Sequence, residues 1–410
     1  MPNDIAGQLI ARFLRYVALT SQSDPSATRL PSTQGQQRLA ELLATELREL
    51  GMTDIQLDQQ ATVTAVKPGN VPGAPRIGFI AHLDTVDVGL SPDIHPQLLR
   101  FTGEDLCLNA QHDIWLRTAE HPEILAYHHQ DILFSDGTSV LGADNKAAIT
   151  AIMTMLANLE EDTPHGDIVV AFVPDEEIGL RGAKALAPER FAVDFAYTID
   201  CCEVGEVVYE NFNAASAVVT LTGVTAHPMS AKNVLVNPLL MAQDFIAAFD
   251  RRETPEHTAG REGYFWFNDM AANASQARLT ISIRDFDQAR FNWRKQRIGE
   301  VAADIAGRYP TGKVHYEIND IYSNISNAIT GDRRAIDLIF AGLAELGIEP
   351  KVTPMRGGTD GAALSARGLL TPNYFTGAHN FHSPFEFLPI SSFVGSYNLT
   401  RKLCLLAAKS

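Results

Sequence analysis

The chain has 410 residues, 45% of them hydrophobic and 20% charged, with a formal charge of −16 at pH 7. That length exceeds what one hydrophobic core usually serves, so two domains are expected. The acidic balance argues against a nucleic-acid surface or an anionic membrane patch, both of which need clustered Lys and Arg.

Cys107, Cys201, Cys202 and Cys404 show no framework spacing and predict reduced thiols. Arg12 and Arg15 interrupt the N-terminal apolar residues, which predicts no secretory leader. No apolar run is long enough to span a bilayer, and a soluble cytoplasmic protein is expected. Residues from about 4 to 20 and about 33 to 50 carry apolar positions at helical spacing, the second with Thr33 and Gln36 as a capping box and Gly51 as a stop. Ile55–Val66 and Arg76–Ala81 read as strands, Gly142–Leu159 as a helix, and Ile168–Val173 and Phe195–Ile199 as strands buried on both faces. The stretch from about Ser91 to Gln130 reads only as a surface excursion.

Near Val204 the pattern changes. Val207–Phe212, Ala217–Leu221 and Leu279–Asp285 look like half-buried strands, while Leu239–Phe249 and Arg290–Arg308 look helical. From about Glu317 the first style resumes with helix Ala335–Leu346, a turn at Gly357-Gly358, strand Leu370–Phe375 and a terminal helix. The fold class expected is α/β: a mixed sheet with helices on both faces, carrying an inserted α+β domain. The boundaries expected are 1–206 and 318–410 for the outer domain and 207–317 for the insert.

His82-Leu83-Asp84, Asp175-Glu176-Glu177 and Ile199-Asp200 each end a hydrophobic run, and Asp144 and the pair His379/His382 lie between and after them. Imidazoles and carboxylates without cysteine suit a two-metal hydrolytic site, with a carboxylate to spare for proton transfer. Positions two apart on a strand share a side, so Asp84 can reach the far nitrogen of His82 and make the other nitrogen a better ligand. A solvated strand-end turn explains that tripeptide equally well. Asp144, alone, fits helix capping better than metal binding. Three adjacent carboxylates at Asp175–Glu177 repel one another unless a cation compensates them, which makes this the most specific signal. Asp200 alone reads as a loop's first solvated residue, and either His379 or His382 as a packing residue. His112, His121, His128, His129, His165, His257 and His315 have no supporting context and read as structural or solvated.

Together these segments resemble the peptidase T branch of the dinuclear zinc aminopeptidases and deacylases, essentially end to end. The resemblance rests on Pro31-Ser32-Thr33-Gln34-Gly35-Gln36, Gly78–Thr85, Leu141-Gly142-Ala143-Asp144, Pro164–Ile168, Phe172–Glu177 and Glu210–Ser216. It continues through Ile283-Arg284-Asp285-Phe286-Asp287 and Arg356-Gly357-Gly358-Thr359-Asp360-Gly361. It implies two Zn2+ ions, with Co2+ or Mn2+ able to substitute. His82 and Asp200 would hold one, Glu177 and His382 the other, with Asp144 as bridge, Asp84 as orienter and Glu176 as general base. The inserted segment would be a dimerisation or lid domain of a homodimer. Its His227 would stabilise the tetrahedral oxyanion, in the partner subunit. Arg284 and the backbone around Gly357 and Gly358 would clamp the far end of a short peptide. Arg356, Asn213 and Asn324 are further substrate contacts, and Asp360 and Asn324 are the candidates for the substrate ammonium. A cis peptide is implied between Asp144 and Asn145.

The implied activity is release of the N-terminal residue from short peptides, tripeptides foremost, by a metal-activated water. The alternatives are a zinc-dependent deacylase or dipeptidase/carboxypeptidase-like hydrolase of N-acylated amino acids and, remotely, a non-catalytic metal-binding scaffold. Asn145, Cys201, Cys202 and Met229 depart from the family pattern at positions that bear on substrate preference.

Overall fold

The computed structural model describes residues 4–410 and divides them into two compact units. The first runs to Tyr209 and takes up Ala328–Thr353 and Thr359–Ser410 again; the second comprises Glu210–Asn327 and Pro354–Gly358. The insert thus extends ten residues past the expected 317 and recruits a five-residue segment from far downstream. The shift arises because the chain just after Glu317, read as a return to the outer domain, is the second half of Lys313–Tyr322, a strand of the insert's own sheet.

The first unit is built on an eight-stranded mixed sheet, in the order Thr53–Leu57, Val63–Lys67, Ile168–Val173, Ile77–His82, Phe195–Cys201, Asn373–Phe375, Glu206–Val208, Lys351–Val352. Its central strands Ile77–His82 and Ile168–Val173 are buried at every position, so both faces of the sheet are covered. Helices Ile5–Val17, Ala143–Ala157 and Ile390–Ala407 pack together, and Gln34–Glu49 lies against the two outermost N-terminal strands. Thr33 is the N-cap of Gln34–Glu49 but makes no cap bond, so the expected capping box does not form. Among the described residues no helix is long and apolar enough to cross a membrane.

Ile77–His82 pairs in parallel with Ile168–Val173 and with Phe195–Cys201, which pairs in parallel with Asn373–Phe375. Four chain segments therefore leave the sheet at the same edge, and these are the ones that carry His82, the Asp175–Glu177 acids, Asp200 and His382. Ligands in sheets of this kind gather beyond the carboxyl ends of the strands. The excursion after Ser91 is ordered: Pro96–Arg100, Asp131–Ser135 and Phe387–Pro389 form a three-stranded sheet beside the hairpin Leu106–Asn109/Ile114–Leu116. Phe101, Leu108, Leu116, Ile124, Ile132, Phe134 and Phe387 give it a core of its own.

The second unit is an antiparallel sheet in the order Tyr264–Ala272, Gln276–Asp285, Asn213–Thr222, Lys313–Tyr322. Helices Pro238–Ala247 and Gln288–Arg308 cover it through a core that includes Val219, Leu221, Phe245, Leu279, Ile281 and Ile298. The strand expected at Val207–Phe212 is the short Glu206–Val208, which belongs to the first unit's sheet.

Candidate active site

The sheet edge of the first unit brings His82, Asp84, Asp144, Glu176, Glu177, Asp200 and His382 into one cluster. Asp144 lies at its centre: one carboxylate oxygen is 3.0 Å from His82 Nε2 and the other 3.0 Å from His382 Nε2. Glu177 Oε1 is 2.8 Å from the same His382 nitrogen. Donor atoms of His82, Asp144 and Glu177 lie within 4.8 Å of one another, a spacing that one metal ion satisfies. The Asp144–Asn145 peptide is cis.

His82 is oriented by a near neighbour in sequence, and Glu176, Glu177 and Asp200 by distant partners. The Nδ1 atom of His82 is 3.0 Å from the Asp84 carbonyl oxygen and 3.4 Å from its carboxylate, so the backbone shares the orienting role expected of the side chain. The Asp84 carboxylate also accepts the backbone N–H groups of Glu176 and Glu177, at 3.0 and 3.2 Å, and fixes the turn that carries them. Asn145 donates its amide to the Ile199 carbonyl and to the Asp200 carboxylate. An aspartate at position 145 could donate neither bond.

The three adjacent acids separate. Asp175 turns away and accepts from the Ser32 backbone and hydroxyl and from the Gln36 amide, while its own N–H donates to Gln36 Oε1. Neutral donors, not a cation, satisfy the first acid of the run, and this explains why the Pro31–Gln36 motif accompanies the site. Glu176 and Glu177 remain for chemistry.

The buried acids and imidazoles of the cluster shift one another's affinity for protons. Burial, then Glu177 and Asp200, push the Glu176 carboxyl well above the usual range. Burial and Asp144 push Glu177 up to about 7 and raise Asp200 well above its ordinary value. Burial opposes charge on the imidazoles too, but Asp144 and Asp84 raise His82, and Asp144 and Glu177 lift His382 to about 11. Despite its burial, Asp144 is held low by the two imidazoles. So many buried acids cannot all ionise unless cations compensate them. Two oxygens of one carboxylate facing two histidines, with further acids alongside, suit a metal site.

One residue here has a role that sequence reasoning missed. Glu386 is buried and accepts three backbone N–H groups, those of Leu141, Gly142 and Asp144, which holds the loop leading into Asp144. A single acid inside the apolar run Phe385–Leu388 was the available signal. Asp360 is 2% exposed, neither of its oxygens has a hydrogen-bond partner among the described residues, and burial raises it to about 7. Of the two histidines left open, His379 is occupied by the Tyr127 hydroxyl at 2.6 Å and by stacking on Phe387, which leaves His382 facing the acids. Burial pushes the thiols of Cys201 and Cys202 upward, away from thiolate, in keeping with packing.

Residues 141–405 match peptidase family M20/M25/M40. A peptidase T-like protein of Yersinia pestis is 70% identical over 406 residues, covering 99% of both chains. Peptidase T of Geobacillus thermodenitrificans is 41% identical over 391 residues, covering 94% of this chain and 95% of its own. The chain belongs to peptidase family M20/M25/M40. Within that family it falls in the peptidase T branch and is a hydrolase. The solved structure of a tripeptidase from Staphylococcus aureus shares the fold, with a TM-score of 0.77 at 20% identity over 99% of each chain.

In this M20 chain the expected substrate residues belong to the second unit and divide sharply. Asn213 and Asn324 are buried, and both bond within the unit. Asn213 donates to the Asp285 and Phe286 carbonyls and accepts from Asn324 N and Asn327 Nδ2. Asn324 donates to the Phe286 carbonyl and accepts from the backbone of Asn211 and Ser326. Asn213 thus has every side-chain group bonded inside the unit, and Asn324 keeps one amide N–H beyond these bonds. Arg356 is likewise spent on the carbonyls of Gly260 and Glu262 and the hydroxyl of Thr258. A Cβ on Gly358 would stand 2.8 Å from the Tyr322 ring, whereas Gly357 is open on that side.

Of the motif Arg284-Asp285-Phe286-Asp287, three members are structural. Asp285 pairs with buried Arg294 at 2.8 Å, Phe286 packs on Phe212, and Asp287 caps Gln288–Arg308. Arg284 spends one terminal nitrogen on the carbonyls of Ala215 and Ile283 and meets no carboxylate among the described residues. His227 is exposed, and its Nδ1 accepts the Met229 N–H at 3.2 Å, which places the proton of the neutral ring on Nε2.

Proposed function

We propose that this M20 peptidase is a dinuclear zinc aminopeptidase that removes the first residue from short peptides, tripeptides foremost. The observation that carries the reading is the Asp144 carboxylate, which presents one oxygen at 3.0 Å to each of two histidines. His82 and Asp200 would hold one ion, Glu177 and His382 the other, with Asp144 shared. Metal bound there acidifies a water and polarises a carbonyl.

Glu176 serves as the general base. As a buried carboxylate on the turn next to Glu177, it would take a proton from the attacking water and deliver it to the leaving amine. Asp84 keeps that carboxyl in place by holding the backbone of its turn. His227 offers an outward Nε2–H for the oxyanion, the role of a positioned donor at developing charge. Arg284 has a guanidinium edge free for the peptide's terminal carboxylate. Asp360, a buried carboxylate without a partner, is the candidate for the substrate ammonium. Support for the tripeptide preference comes from the fold shared with the Staphylococcus aureus tripeptidase and from identity to peptidase T chains. A homodimer through the second unit remains part of the reading.

The test is metal analysis of the purified protein combined with a substrate panel. Two equivalents of zinc are expected, with turnover of tripeptides far above that of dipeptides and N-acetyl amino acids. Equal turnover of N-blocked substrates would move the assignment to the deacylase alternative.

A further inference from the structure

The loop between Asn373–Phe375 and Phe387–Pro389 carries His382. Asn380 and His382 have φ of +56° and +60°, the left-handed region that few non-glycine residues adopt, asparagine and histidine more often than most. The contacts that hold the loop come from the small β subdomain formed by the excursion. Glu123 Oε1 accepts the Asn380 amide at 2.6 Å, and His121 Nδ1 is 3.3 Å from the same nitrogen. The Tyr127 hydroxyl is 2.6 Å from His379 Nε2. The His121 and Phe385 rings lie 4.7 Å apart, and Phe387, at the loop's end, joins the subdomain core and pairs with Phe134. The anchored residues Asn380, His379, Phe385 and Phe387 bracket His382 within a few positions on either side, while the His382 ring nitrogen faces the metal-site acids Asp144 and Glu177.

We infer that the subdomain spanning Pro96–Ser135 is a positioning device for metal binding, with Glu123 and Tyr127 as positioning residues that fix His382 through the Asn380 and His379 anchors. This rests on the assignment of His382 as a metal ligand. A ligand on a mobile loop must be ordered when the ion binds, which weakens binding; one held in place beforehand is not. The exposed flank of the subdomain, including Leu98, Trp115 and Leu125, does not enter this role.

The experiment titrates metal-free protein with Zn2+ alone, following each equivalent by calorimetry and chelator competition. E123A and Y127F should each weaken one equivalent about 10-fold or more, the range for groups that orient a metal ligand. The other equivalent should keep its affinity. E123Q, which retains an acceptor, should recover most of the loss. H382A separates the two ideas: it must abolish the same equivalent, and if it does not, the ligand assignment fails first. If H382A loses that equivalent while E123A and Y127F bind both ions as the wild type does, the inference is overturned. A lowered melting temperature with both affinities unchanged overturns it as well, because that is what a merely structural subdomain gives. Y127F keeps the ring in its packing place and carries the test if E123A fails to fold.

Discussion

The two units treat their polar residues differently. In the first, Asp84, Asn145 and Glu386 spend their hydrogen bonds on fixing Glu176, Glu177, Asp200 and the loop before Asp144. These supports leave the supported groups facing one another with unbalanced charge. In the second unit the polar residues of the family-like motifs mostly satisfy one another: Asn211, Asn213, Asn324, Asp285 and Arg356 close the structure around themselves. Arg284 and His227 keep donors open. Residues of one chemical type are thus sorted by saturation: a buried amide with every group bonded is scaffold, and a charged group with an open edge is available to a ligand.

The strongest way to break this contrast is Glu176→Gln. Glutamine keeps the shape and removes the base, so kcat should fall roughly 10²–10⁴-fold while zinc content is unchanged. Retained turnover with metal bound would remove Glu176 from its role. Next in size is the pair R284A and R356A, read by steady-state kinetics on a tripeptide. Loss of a hydrogen bond to a charged group costs about 1.5–3 kcal/mol, so R284A should raise KM about 10- to 100-fold. R356A should leave KM in place and lower the melting temperature, because its partners are the carbonyls of a loop. The reverse result would exchange the two arginines.

The legibility of the sequence followed the same physics. Ile77–His82 and Ile168–Val173 were readable because strands buried on both faces are continuous apolar runs. Tyr264–Ala272 and Lys313–Tyr322 were not, since each lies at a sheet edge, is mostly exposed and is held by backbone pairing that leaves no apolar pattern. That omission misplaced the end of the insert. In the site, residue types and strand-end positions were enough to nominate the acids and imidazoles, and resemblance divided their roles. The departure of Asp175 from the acid run was invisible because its partners Ser32 and Gln36 lie some 140 residues upstream. Glu386 escaped for a related reason: its partners are backbone amides, which carry no side-chain signal.

The smallest expected effect on catalysis belongs to Asn213→Ala, and it tests the contrast where sequence and structure disagree most. The side chain links the Asp285 and Phe286 carbonyls to Asn324 N and Asn327 Nδ2, all inside the second unit. Alanine removes both ends of that link and leaves the buried Asn324 N–H and the Asp285 carbonyl without the bonds they make to it, while the Phe286 carbonyl keeps the Asn324 amide. Unmet groups of this kind cost about 1–3 kcal/mol. Denaturant unfolding should therefore show a loss of that order, and kcat/KM at a temperature where the variant is folded should match the wild type. A substrate contact would give the opposite signature, with KM raised and stability nearly intact, because an exposed ligand-binding amide satisfies nothing in the free protein. Finding that signature would return Asn213 to the substrate site and remove saturation as the criterion that separates scaffold from chemistry here.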